Sequence, residues 1–197
     1  MFGYGRARSW FITRLSIGSM VSQLNPSATG AERSFSPMIE GLVRVFTCPH
    51  RSFFTDVIAQ ALRTAGQGNP VLVVQFLKGG IRQGCDRPVQ LGQHLDWLRS
   101  DLPRYIDTPN LEDPERQALQ DLWQHTQAIV ATGKYSLVVL DELSLAINFG
   151  LIPEAEVLAF VRNRPPSVEV VLTGPDMPAA ILAIADQITE LRRMHSP

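Results

Sequence analysis

Apolar residues along this chain fall into short unbroken runs, separated by longer stretches of helical period. Leu137-Val138-Val139-Leu140 runs directly into Asp141-Glu142. Gly41–Thr47, Val71–Leu77 and Val168–Thr173 are three more such runs. Unbroken runs of this length suit strands buried on both faces of a parallel sheet, where strict alternation is not required. Between them, Phe54, Val57, Ile58, Ala61, Leu62 and Ala65 form one helical stripe, ended by Gly66. Leu119, Leu122, Trp123, Thr126, Ile129 and Val130 form another, ended by Gly133. Ser52 is placed to cap the first helix, and Asp113-Pro114 to open the second with proline at its first position. Further helices are predicted over Val89–Arg99, Leu143–Phe149, Pro153–Arg162 and Pro178–Ala185. Short strands are predicted near Arg104–Ile106 and Ile188–Leu191. Strands alternating with helices predict a single α/β domain with a mostly parallel sheet flanked by helices.

The first segment has a different character. Residues 1–31 carry no Asp or Glu but include Arg6, Arg8 and Arg14, and their apolar stretch Trp10–Val21 is interrupted by Arg14. Residues 1–38 therefore read as a basic, unstructured tail or an over-extended start, with a targeting-like presequence or a short interaction arm as the alternatives, and residues 39–197 as the folded domain. The chain's net charge of −1 removes any global electrostatic case for nucleic acid or an anionic membrane. No apolar run approaches the ~20 residues of a membrane span. Cys48 and Cys85 have no metal-ligand or redox spacing, so they read as buried thiols in a reduced, cytoplasmic setting.

The candidate chemistry sits at strand ends. A carboxylate closing a buried strand of a nucleotide-binding α/β protein faces the site of Mg²⁺ and phosphates, so Asp141 and Glu142 read as P-loop NTPase-like. With the other elements placed, the chain resembles the P-loop type ATP:corrinoid adenosyltransferase family from about Glu40 to His195. The resemblance rests on Gly41-Leu-Val-Arg-Val-Phe-Thr47, on Ala61–Gly68 followed by Val73-Val-Gln-Phe-Leu-Lys-Gly79, and on Leu137-Val-Val-Leu-Asp-Glu-Leu143 with Ala146 and Gly150. Val170–Gly174 and Ala185–Glu190 resemble the family's final segment. The family implies transfer of the 5′-deoxyadenosyl group of ATP to the reduced cobalt of a corrinoid, with triphosphate leaving. It also implies ATP and Mg²⁺ in the site, corrinoid as substrate, and a homodimer. Carried over by position, Asp141 would contact the metal, with Glu142 in support; the alternative is an inherited strand end, hydrogen-bonded to nearby loops and serving geometry only. His50, Arg51, Ser52, Thr55 and Lys78 would line the phosphate side.

The same alignment exposes a conflict. The family's loop reads Thr-Gly-Asn-Gly-Lys-Gly-Lys-Thr-Thr, and the matching residues here are Thr47-Cys-Pro-His-Arg-Ser-Phe-Phe-Thr55. All three glycines that allow a backbone to wrap phosphate are replaced. Phe53 stands in place of the phosphate-binding Lys, and Phe54 in place of the Mg²⁺-ligating hydroxyl. Asp56 adds a carboxylate to the first helical turn, where it competes with a bound phosphate for the helix's positive end. The family's aromatic Gly-Phe-Thr-Trp segment has no counterpart in Tyr105–Glu112, and Tyr105 reads either as a core or edge residue or as a lone aromatic face on the corrinoid side. Thr173-Gly174 reads either as a plain turn or as part of the lining of the same crevice, and Trp97 and Trp123 as helix packing groups. Three functions remain open at this level. One is a divergent homologue impaired in adenosyl transfer, keeping a ligand-binding, regulatory or scaffold role. Another is an active adenosyltransferase, acting on cob(I)alamin or cob(I)yrinic acid a,c-diamide through an unusual phosphate site. The third is a protein that takes a different nucleotide or anion ligand in the same crevice.

Overall fold

The computed structural model describes residues 40–79 and 84–192. The proposed tail, residues 1–38, lies outside them. The elements are β1 (Val43–Thr47), α1 (Thr55–Gly66), β2 (Val71–Gln75), β3 (Val89–Leu91), β4 (Leu95–Arg99), α2 (Asp113–Ala131) and β5 (Leu137–Asp141). They continue as α3 (Leu143–Asn148), α4 (Glu154–Asn163), β6 (Glu169–Thr173), α5 (Ala179–Leu182) and β7 (Gln187–Glu190). One seven-stranded sheet runs in the order β3-β4-β2-β5-β6-β1-β7, parallel except for the β3–β4 pair. This is the mostly parallel α/β architecture that the apolar runs predict.

The central strands show why unbroken apolar runs were needed. Every residue of β2 and β5 is buried. Leu72 and Val74 join a core with Leu119, Leu122, Val157 and Ile181 on one face. Val71 and Val73 join a second core with Phe54, Val57 and Ala61 of α1 on the other. Both faces of the same strand are thus apolar, as a doubly covered sheet requires. The predicted stripe of α2 is confirmed at Leu119, Leu122, Trp123, Thr126 and Val130, with Ile129 half-buried. In α1 the stripe is narrower than expected, because Leu62 is 47% exposed.

Four expectations need correction. Val89–Arg99 is not a helix but the antiparallel β3–β4 hairpin, with Gly92 at φ +69° between the strands. A helix there would have had to pass through that glycine, which is the costlier course. Arg104–Ile106 is irregular rather than a strand. Ser52 does not cap α1: the cap position is Phe54 and has no side-chain cap hydrogen bond. The reason is burial. Phe54 is 3% exposed, edge-on to Phe46, and burying such a ring is worth about 1.5–3 kcal/mol against about 1 kcal/mol for a serine cap. At α2 the cap is Glu112, in a reciprocal box with Glu115, so Asp113 is already helical. Of the two thiols, Cys48 is buried and Cys85 only half-buried. No described helix is long and apolar enough to cross a membrane.

Candidate functional site

The carboxyl ends of β4, β2, β5 and β6 lie side by side in the sheet, bringing Arg99, Gln75, Asp141 and Thr173 into one row. Register does this without help from loops: Gln75 pairs with Arg99 on one side and Asp141 on the other. Glu142 follows as the first residue beyond β5 and caps α3 at φ 59°, a left-handed conformation that is uncommon for a side-chain-bearing residue. Its N–H donates to Thr173 Oγ1 at 3.0 Å, which holds that turn.

The row is one continuous hydrogen-bond network. Asp141 is 3% exposed, and its Oδ2 accepts from Lys78 Nζ and from Gln75 Nε2, each at 2.7 Å. Asp141 Oδ1 accepts from Thr173 Oγ1 at 2.9 Å. Gln75 Oε1 in turn accepts from Arg99 Nε at 2.7 Å and Trp97 Nε1 at 3.0 Å. Burial holds the Arg99 guanidinium below its ordinary pKa, with the charge of Asp141 opposing that shift. Buried polar groups that are all satisfied in this way make a rigid unit.

Glu142 is held separately. Arg51 grips it with two parallel hydrogen bonds of 2.7 Å, from Nε to Oε1 and from Nη2 to Oε2. That is the forked geometry a guanidinium forms best with a carboxylate. Arg51 Nη1 also donates to the Ile106 carbonyl at 2.7 Å, and the guanidinium carbon lies 3.8 Å from the centroid of the Tyr105 ring. Burial lowers the Arg51 pKa, but its hydrogen bonds to Glu142 and that residue's charge more than offset this, so the group is held above its ordinary value. Burial, then the Glu142 charge, pushes the Tyr105 phenol up to about 12. Tyr105 Oη sits 3.4 Å from Glu142 Oε1 and stays protonated at neutral pH.

Of the residues singled out from sequence, the structure brings together Arg51 with Glu142, and Lys78 with Asp141. It does not bring His50, Ser52 or Thr55 to either carboxylate. His50 is exposed and its carbonyl accepts from Cys48 Sγ at 2.7 Å, Ser52 is half-buried, and Thr55 is the exposed first residue of α1. Three readings are decided here. Tyr105 is neither core nor edge-strand, but a 46% exposed ring stacked on Arg51. Thr173 is a crevice residue rather than a plain turn, since it ties both carboxylate residues together. Trp97 lies on β4 and serves Gln75 rather than a helix face. Arg99 was missed altogether. The signal for it was the Gly92 break, which makes Leu95–Arg99 a strand ending beside Gln75.

The only Lys or Arg between β1 and α1 is Arg51, and its guanidinium is engaged with Glu142 and the Ile106 carbonyl. Phe53 is 51% exposed, with Lys78 Nζ 4.9 Å from its ring centroid. No group of three His, Cys, Asp or Glu residues able to hold a metal occurs among the described residues.

Comparison with known proteins agrees with this architecture. The sequence profile described as ATP:corrinoid adenosyltransferase BtuR/CobO/CobP matches residues 40–197. The corrinoid adenosyltransferase of Escherichia coli K12 is 31% identical over 152 residues, covering 77% of this chain and 76% of that one. A corrinoid adenosyltransferase of Salmonella typhimurium LT2 has the same identity and coverage. An uncharacterized protein of a Nostoc species is 28% identical over 175 residues, covering 82% of this chain but 46% of its own length. With a family match over residues 40–197 and relatives 31% identical over about three quarters of both chains, the chain belongs to the ATP:corrinoid adenosyltransferase family.

Proposed function

We propose that this chain is a divergent member of its family, impaired in ordinary adenosyl transfer from Mg-ATP, and that it keeps a ligand-binding, regulatory or scaffold role. The observation that carries this reading is the pairing of both strand-end carboxylates with the chain's own cations, Lys78 on Asp141 and Arg51 on Glu142. A Mg²⁺ ion at Asp141 would compete with an ammonium, an amide and a hydroxyl already hydrogen-bonded to its two oxygens. The position matching the metal's hydroxyl ligand is the buried ring of Phe54. The residues present do not fit the metal, and no catalytic step is assigned through it.

The phosphate side points the same way. A triphosphate is held by many charge-assisted hydrogen bonds, each worth about 1.5–3 kcal/mol. Pro49 offers no N–H, Phe53 no charge, and Arg51 is committed to Glu142. An unusual phosphate site built from His50, Arg51, Lys78 and Asp141 would first have to break two ion pairs. Each of those pairs has a carboxylate side chain only 3% exposed.

Calorimetric titration of the full chain with Mg-ATP tests this reading. The expected result is no saturable binding below about 1 mM, with an active family enzyme binding in parallel. A micromolar dissociation constant that Arg51→Ala or Asp141→Ala abolishes would overturn it.

A further inference from the structure

A second cavity lies beside the ion-paired crevice, at the carboxyl ends of β1 and β7 and the start of α1. Its volume is about 310 Å³, within the lower range of small-molecule sites. Its walls are Phe46, Phe53, Phe54 and Leu191, with Thr55 and Thr189 as hydroxyls and Asp56 as the single charged group. Phe46 and Phe54 meet edge to face at 6.4 Å and 70°, which fixes two of the three rings. Phe53 and Leu191 are 51% and 44% exposed, an unusual display of large apolar side chains around one opening.

The chemistry of the lining selects its ligand. Three phenyl rings offer faces and edges to a flat aromatic guest. Among the described residues no Lys, Arg or His is in the lining; Lys78 and Arg44, which lie 4.9 Å and 5.7 Å from the Phe53 and Phe46 ring centroids, are paired with Asp141 and Glu169, and Asp56 lies in the first turn of α1, where its charge offsets the positive helix end. A phosphate would therefore meet a carboxylate instead of a donor nest. No hydrogen bond or ion pair to another described residue occupies the Asp56 carboxylate, so it is left to accept from a ligand's N–H or O–H groups. We propose that this cavity binds a flat aromatic molecule of about nucleoside size, uncharged or cationic, and that it discriminates against phosphate-bearing ligands. The cavity contains neither paired carboxylate, but Phe53, Phe54 and Thr55 in its wall occupy positions of the family's phosphate loop, so its bias against phosphate rests on the reading that this loop no longer holds a triphosphate.

The test uses the full chain and three probes: tryptamine as an aromatic cation, adenosine as an uncharged aromatic, and adenosine 5′-monophosphate as its anionic counterpart. Binding is read by ligand-observed NMR and calorimetry. Tryptamine, adenosine or both are expected to bind, with the monophosphate at least roughly tenfold weaker than adenosine. Which of the two binds distinguishes an amine from a nucleoside as the natural class. Asp56→Asn is expected to weaken tryptamine roughly tenfold and to narrow the gap between adenosine and its monophosphate. Phe53→Ala, at an exposed position, is expected to weaken whichever probe binds. The proposal fails if neither tryptamine nor adenosine binds up to about 10 mM, if the monophosphate binds as well as adenosine, or if neither variant changes binding. Failure of these probes leaves the ion-pair account intact, whereas ATP turnover through the loop before α1 would overturn the bias against phosphate even if adenosine binds.

Discussion

Arg51→Ala should cost the fold about 3 kcal/mol, the lower end of the range for breaking a buried ion pair. The variant leaves Glu142 with its carboxylate 3% exposed and no cation. The remaining contact, from Tyr105 Oη at 3.4 Å, is too long to replace two bonds of 2.7 Å. The Arg51 side chain is itself 22% exposed, so water recovers part of the loss and the lower end applies. The bond to the Ile106 carbonyl and the stacking on Tyr105 go as well. Arg51→Lys should also be damaging, because an ammonium cannot grip both carboxylate oxygens in parallel. The double variant Arg51→Met with Glu142→Gln removes both charges and should regain most of the loss. Denaturant unfolding of the two single variants and the pair gives the coupling directly. A loss below about 1 kcal/mol for Arg51→Ala would place the pair among ordinary surface contacts and remove it as the lock on this crevice.

Gly174→Ala is expected to destabilise by a similar amount, about 3 kcal/mol, for a different reason. Gly174 sits at φ +135°, which side-chain-bearing residues rarely adopt. A Cβ there would lie 2.1 Å from Ser144 Oγ and 3.4 Å from the Glu142 Cα. Ser144 has little room to yield: it is fully buried and its hydroxyl donates to the Pro175 carbonyl at 2.5 Å. Adding Ser144→Ala should relieve the clash and recover part of the loss, leaving about 1–2 kcal/mol of backbone strain. Thermal unfolding of the single and double variants separates these causes. Equal stability of Gly174→Ala and the parent chain would mean that this turn adjusts freely.

Much of the fold was readable from pattern because the physics is local. The apolar runs of β2 and β5 are unbroken because both sheet faces are covered, and the stripe of α2 repeats at helical spacing because one face is. Val89–Arg99 misled because Val89, Leu91, Leu95 and Leu98 can be placed on a helix as well as on two short strands, and only Gly92 argues between them. Ser52 misled because capping is a small local preference, and tertiary burial of Phe54 outweighs it.

The candidate site was legible in its members but not in its pairings. Asp141, Glu142, Arg51 and Lys78 all stand at strand ends or in the loop where sequence placed them. Arg51 is 91 residues from Glu142 and Lys78 is 63 from Asp141, so no spacing rule could report that the cations cancel the carboxylates. Tyr105 and Thr173 gained their roles in the same way, from neighbours brought in by the sheet. The loss of the glycines and of the loop Lys was visible at once. What fills the place they leave required the structure.

The most direct test of the central claim is an anaerobic adenosyl-transfer assay with the full chain, Mg-ATP and chemically reduced cob(I)alamin, followed through the corrinoid spectrum. An authentic family enzyme runs in parallel as the positive control. The account predicts no conversion above the protein-free control. Conversion above that control, lost in Asp141→Ala and Arg51→Ala, would show that the paired carboxylates open to take substrate, and would contradict it.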